Sequence, residues 1–191
     1  MPGYRSALQC AHLVGRLRPV KAFALAAFFA LAACSQAPQC DMEAAHDVAF
    51  TSEQARERVV VRTLGARCDQ AVGVLVLEAE DGAALWSWSA PLAQAFGEVF
   101  AANDGDAVED FLTRWAAPEL SRTEAAPEWS LLAPGQTTLD RLTYEDLRAR
   151  DTPMLCHFSG SGRQTCVFWE PAAGFAGHFY DRDAPGAPDA P

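Results

Sequence analysis

The sequence predicts an α+β fold built mostly from antiparallel sheet, with two to three amphipathic helices. Three observations carry the prediction. Strand-like apolar segments occupy 56–65 and 71–91, a helical period takes over through 115, and strand character returns from 153 onward; strands, then helices, then strands again is the α+β order. Turn-forming glycines, Gly82 and then Gly160 and Gly162, stand between neighbouring strand segments, where positive φ angles let the chain reverse. Finally, Cys40, Cys68, Cys156 and Cys166 lie within the 40–183 part of the chain, an even number suited to two disulfides bracing one domain.

The first strand is expected over 56–65, where Val59, Val60 and Val61 are flanked by arginines and Gly65 stops the run. Val72 to Leu77 is almost continuously apolar, which predicts a central strand covered on both faces. After the Glu80-Asp81-Gly82 turn, the alternation of Leu85 to Ser89 puts Trp86 and Trp88 on one face. The period then changes. Leu92, Phe96, Val99 and Phe100 share one face of a helix opened by Pro91, a position where proline is tolerated. Asn103-Asp104-Gly105 breaks it. Val108, Phe111, Leu112 and Trp115 define a second helix, with Asp106 as its cap, Glu109 as the capping-box partner and Pro118 bounding its end. Residues 118–136 hold three prolines and predict a long surface connection. Thr143 is placed to cap a short helix over 144–150, which Thr152-Pro153 stops.

The next segment yields a disulfide from register alone. Two β-prone runs, 154–159 and 164–169, flank Gly160-Ser161-Gly162, the mark of a hairpin. A three-residue loop sets Ser159 opposite Arg163, His157 opposite Thr165, and Cys156 opposite Cys166. Opposed residues of a non-hydrogen-bonded pair lie about 4.5 Å apart at Cα, within bridging range. By elimination, Cys40 pairs with Cys68. Metal ligation is the competing use of four cysteines, but the sequence has no C-x-x-C pair, and zinc sites favour close-set ligands. Residues 177–183 read as an edge strand and 184–191 as a disordered tail.

Ahead of this domain, residues 22–33 are apolar without interruption, 12 residues against the roughly 20 of a bilayer-spanning helix. Arg5, Arg16, Arg18 and Lys21 precede the run, and the first acidic residue is Asp41. A basic start, a short apolar centre and small residues at its end make a secretory signal. Leu31-Ala32-Ala33-Cys34 resembles the lipobox of bacterial prolipoproteins. The resemblance covers the signal and its junction only. It implies a diacylglyceryl group on the Cys34 sulfur, cleavage before that residue and acylation of the new amino group. Ser35, in place of an aspartate, implies the outer membrane. The expected organisation is a signal over 1–33, a lipid tether over 34–39, one domain over 40–183 and a tail over 184–191.

All 25 acidic residues but only 11 of the 15 basic ones follow residue 33, a net charge of −14 for that part. Such a surface repels phosphate backbones, so nucleic acid is not an expected partner. His46, His157 and His178 form no close ligand pair, and neither a metal nor another cofactor is expected. His178, Asp181 and Asp183 are explained as solvated charges on a terminal strand. Ser161 lacks the strand-to-helix elbow of a serine nucleophile, and Gly160-x-Gly162 leads into a strand, unlike a dinucleotide loop. Glu78 and Glu80 are a carboxylate pair in principle able to cleave glycosides, though alternation along a strand accounts for them. Trp86, Trp88 and Trp129 are the candidates for ligand or partner contact, with core filling as the competing account.

The function expected from these residues is that of a lipid-anchored cell-envelope protein. It would sit on the periplasmic face of the outer membrane, tied to the membrane by its N-terminal lipid. There it would serve a non-enzymatic accessory or interaction role towards an envelope protein partner. Two rivals make their own demands. A carrier of an apolar ligand requires a cavity of a few hundred cubic ångströms. A hydrolase requires a cleft holding histidines or carboxylates of shifted pKa.

Overall fold

Residues 40–101 and 104–184 are described by the computed structural model. The signal, Cys34, the tether, Asn103 and the tail beyond Ala184 lie outside the described residues. The fold is α+β and mostly sheet, in two antiparallel four-stranded meanders. The first contains β1 (Glu43–Val48), β2 (Glu57–Leu64), β3 (Val72–Glu78) and β4 (Ala84–Pro91), lying side by side in chain order. In β2 all three valines, Val59, Val60 and Val61, are buried, while Arg58 and Arg62, on the same face as Val60, reach outward to Asp47 and Glu43 on β1. The loop before β2 is held by the buried carboxylate of Glu57, which accepts from the Phe50 and Thr51 backbone amides and the Thr51 hydroxyl. Three donors satisfy a charge that would otherwise be costly to bury.

β3 is central, as its composition predicts, but it is fully covered on one face only. Leu75 and Leu77 are fully buried, whereas Val72 is 39% exposed and Val74 and Val76 are half-buried. Its apolar run reflects one buried and one partly open face. On the buried side Gly73 is required by space: a Cβ there would stand 2.3 Å from Leu92 Cδ2 and 3.0 Å from the Trp115 ring.

The helix expected from Pro91 to Phe100 is broken. α1 (Leu92–Phe96) stops at Gly97, whose φ of 61° suits glycine, and α2 (Glu98–Ala101) restarts beyond it. Leu92, Phe96 and Phe100 remain buried together, so the apolar stripe survives the break. α3 (Gly105–Trp115) follows, with Val108, Leu112 and Trp115 on its buried side. Its cap is Asp104, not Asp106: the Asp104 carboxylate accepts from the backbone amides of Asp106 and Ala107.

The second sheet contains β5 (Glu119–Arg122), β6 (Pro153–Gly160), β7 (Arg163–Glu170) and β8 (Phe175–Asp183), again in chain order. β8 is the edge strand expected at 177–183. The supposed surface connection after Pro118 is instead part of the structure. It supplies β5, then turns inward to bury Thr123 and Ala126; the Thr123 hydroxyl donates to the Leu147 carbonyl at 2.8 Å. α4 (Arg141–Ala149) is capped by Asp140 rather than Thr143, which sits three residues on and donates its own hydroxyl to the Asp140 carboxylate.

The faces of the second sheet divide the core in two. Leu155, Val167 and Ala176 join the residues between the first sheet and helices α1–α3. Met154, Phe168, Phe179 and Tyr180 pack on Tyr144 and Leu147 of α4. Each sheet is braced by one disulfide. Cys156 and Cys166 stand opposite one another on β6 and β7 with Cα atoms 4.0 Å apart. The expected three-residue loop is a two-residue turn, Ser161-Gly162, with Ser159 as an extra bulged residue; bulge and turn together restore the same register. Cys40 and Cys68 form the second bridge. The pair of disulfides places this domain in an oxidising, non-cytoplasmic compartment. Among the described residues no helix is long and apolar enough to cross a membrane.

Candidate ligand cleft

The aromatic rings of the helical layer do not all disappear into the core. Phe96, Val99, Phe111 and Trp115 wall a cleft of about 310 Å³ that Phe158 and turn 160–162 close from the other side, with Arg114 at its rim. The local sequence explains the walls. Gly97 turns α1 away so that Val99 reaches the opening, and the four-residue step from Phe111 to Trp115 brings both rings to one helix face. Ring centroids of Phe96 and Phe111 lie 4.7 Å apart, and those of Phe96 and Trp115 5.4 Å.

Hydrogen bonds fix the opposite wall. Trp115 Nε1 donates to the Phe158 carbonyl at 2.8 Å, and the Ser161 amide donates to the Ala95 carbonyl at 2.8 Å. Arg114 is exposed; its Nε donates to the Asp110 carbonyl, and among the described residues it forms no ion pair with a carboxylate. An apolar slot beside an exposed cation is suited to a small amphiphile with an acidic head.

Beneath this layer, His157 is buried between the sheets. Trp86 Nε1 donates to its Nε2 at 3.1 Å, and its Nδ1 lies 2.9 Å from the Phe158 carbonyl. Nε2 is therefore an acceptor and Nδ1 carries the proton. Burial holds its pKa down to about 4, with Asp181 opposing that shift and His178 adding to it. The nearby Asp181 carboxylate accepts from the Thr165 hydroxyl at 2.7 Å and pairs with Arg163 and with His178 Nε2 at 3.4 Å. Here the Thr165 hydroxyl is committed as a donor to the Asp181 carboxylate. It braces β7 to β8.

The sequence-predicted residues fall in three places. Trp86 and Trp88 share a face as expected, half-buried against His157, with the Trp88 ring 5.5 Å from that of Trp115. Trp129 is half-buried on Tyr144, its centroid 5.7 Å away, and its amide donates to the Glu145 carboxylate. Glu78 and Glu80 line a separate open trough of about 800 Å³ with Asp47, Arg56, Arg58 and Asp81. Sequence reasoning missed Phe96, Phe111 and Trp115 as cleft walls. Their helical spacing signalled a core stripe, and nothing local distinguishes a ring that ends inside the core from one that edges an opening. Among the described residues no group of three histidines, cysteines or acids is set to hold a metal ion. No protein-family model matches the chain, nor does any curated protein or solved structure.

Proposed function

We propose that this protein is a lipid-anchored component of the cell envelope, on the periplasmic face of the outer membrane. In this reading the disulfide-braced domain serves a non-enzymatic accessory or interaction role close to the membrane. The observation that supports the reading is the environment of Cys40. That residue is completely buried and cross-linked to Cys68, only six residue steps after the lipobox cysteine Cys34. Six steps span at most about 20 Å, so a lipid on Cys34 would hold the domain near the leaflet. Intact-mass analysis of the mature chain tests this. A diacylglyceryl-modified N-terminal Cys34 is the expected result, with Cys34→Ser releasing the protein into the soluble fraction. An unmodified Cys34 would refute the anchor.

The aromatic cleft favours a second role on the same anchor, the binding of a small apolar ligand bearing an acidic group. Its volume lies at the lower end of the usual ligand range, about 300–1,000 Å³. Titration with medium-chain fatty acids, followed by tryptophan fluorescence, should give saturable quenching that Phe111→Ala and Arg114→Gln both weaken. Equal responses in all three proteins would remove this role.

A further inference from the structure

The end of the first sheet that receives the tether also carries exposed apolar side chains. Leu64 stands opposite Val72, and Val72 opposite Pro91. Leu64 is 52% exposed and Val72 39%, and Pro91 is exposed as well. Single apolar residues on a surface are ordinary, but these three occupy adjacent strands about 4.8 Å apart and form one patch.

The incoming chain is fixed beside that patch. Cys40 forms a bridge with Gly65, the residue after Leu64, and is pinned to Cys68. Met42 and Thr63 tie the next step, the Met42 amide donating to the Thr63 hydroxyl and the Thr63 amide to the Met42 carbonyl. A lipid on Cys34 therefore acts on this end of the sheet, through no more than about 20 Å of chain.

We propose that the Leu64, Val72 and Pro91 end of the first sheet is a contact surface for the lipid leaflet that holds Cys34. The inference rests on the anchoring reading and adds an orientation to it. The charges nearby indicate a weak, tether-dependent contact. Arg67 and Asp69 neutralise one another, and Asp41, next to Cys40, forms no ion pair among the described residues. Such a surface does not recruit the free domain; the tether supplies the effective concentration. The consequence is directional. Arg58, on the rim of the open trough, lies six residues back along β2 from Leu64, about 20 Å at strand rise, so the trough faces away from the leaflet.

Photo-crosslinking on the full chain in its own envelope tests the orientation. A p-benzoylphenylalanine replacing Leu64 is compared with one replacing Leu142, an 83% exposed position on α4, and Val72 serves as the second probe site if the first variant misfolds. The lipid on Cys34 is verified by mass in every sample. The expected result is several-fold more lipid adduct from residues 64 or 72 than from 142. Equal yields in a lipidated protein would overturn the orientation while leaving the anchor intact. A chain without lipid on Cys34 would overturn both, and the mass spectrum separates the two failures.

Discussion

The buried His157 makes the stability of this domain depend on pH in a defined window. The folded state holds the imidazole neutral, with Nε2 accepting from Trp86, and its pKa falls from 6.5 to about 4 because of burial. Between those values the unfolded chain binds a proton that the native chain refuses, so stability rises with pH there. The contribution is fully present above about 6.5 and lost as pH falls toward 4. Each pH unit in the window is worth about 1.4 kcal/mol, so going from about pH 7.5 to about 4.5 should cost about 2.5 kcal/mol through this side chain alone. Urea unfolding at the two pH values, followed by the fluorescence of Trp86 and Trp88, measures the change. Carboxylates also lose stabilising interactions in acid; Asp69 and Asp140, held below the usual range by Arg67 and by the Thr143 amide and hydroxyl, contribute in the same direction. Comparison with His157→Gln, which keeps an acceptor but does not titrate, cancels those shared terms. The wild type should lose about 2.5 kcal/mol more than the variant. Parallel pH dependences would refute the argument that the imidazole is buried neutral.

Loop-closure entropy ranks the two disulfides. Separations of 28 and 10 residues predict losses of about 3.6 kcal/mol for Cys40→Ala/Cys68→Ala and about 2.7 kcal/mol for Cys156→Ala/Cys166→Ala, and the order of the urea midpoints checks the ranking. Gly73→Ala forces a methyl group against Leu92 and Trp115 and should cost about 1–3 kcal/mol as an overpacked site, read from thermal unfolding. Trp115→Phe leaves the Phe158 carbonyl without its indole donor and should cost about 1–2 kcal/mol. The same variant should also loosen turn 160–162, seen as faster amide exchange at Ser161.

Cross-linking Cys40 into the first sheet removes the slack that a free N-terminal segment would give, so an anchor at Cys34 would act on a rigid body. The aromatic cleft lies on the helical layer and the open trough at the far end of the first sheet, two surfaces of different chemistry on one domain. The cleft is apolar with a single cation at its rim, whereas the trough mixes carboxylates with Arg56 and Arg58.

The sequence by itself determined the α+β class, the existence of the β6–β7 hairpin though not its two-residue turn, the pairing of Cys156 with Cys166, and the shared face of Trp86 and Trp88. Each follows from interactions a few residues apart: the two-residue strand period, positive φ at glycine, and the register that a short turn imposes on its flanks. Local pattern could not reveal β1 and β5, because EAAHDV and ELSR carry little apolar signal and become strands by pairing with the edges of β2 and β6. Nor could it assign the caps to Asp104 and Asp140, or show that Gly97 splits one apolar helix into two. Only the tertiary structure decided that β3 has one partly open face, that there are two sheets, that His157 is buried under Trp86, and that Phe96, Phe111 and Trp115 border a cleft. Those outcomes depend on which surface comes to rest against which, and the contacts that choose it join residues dozens of positions apart.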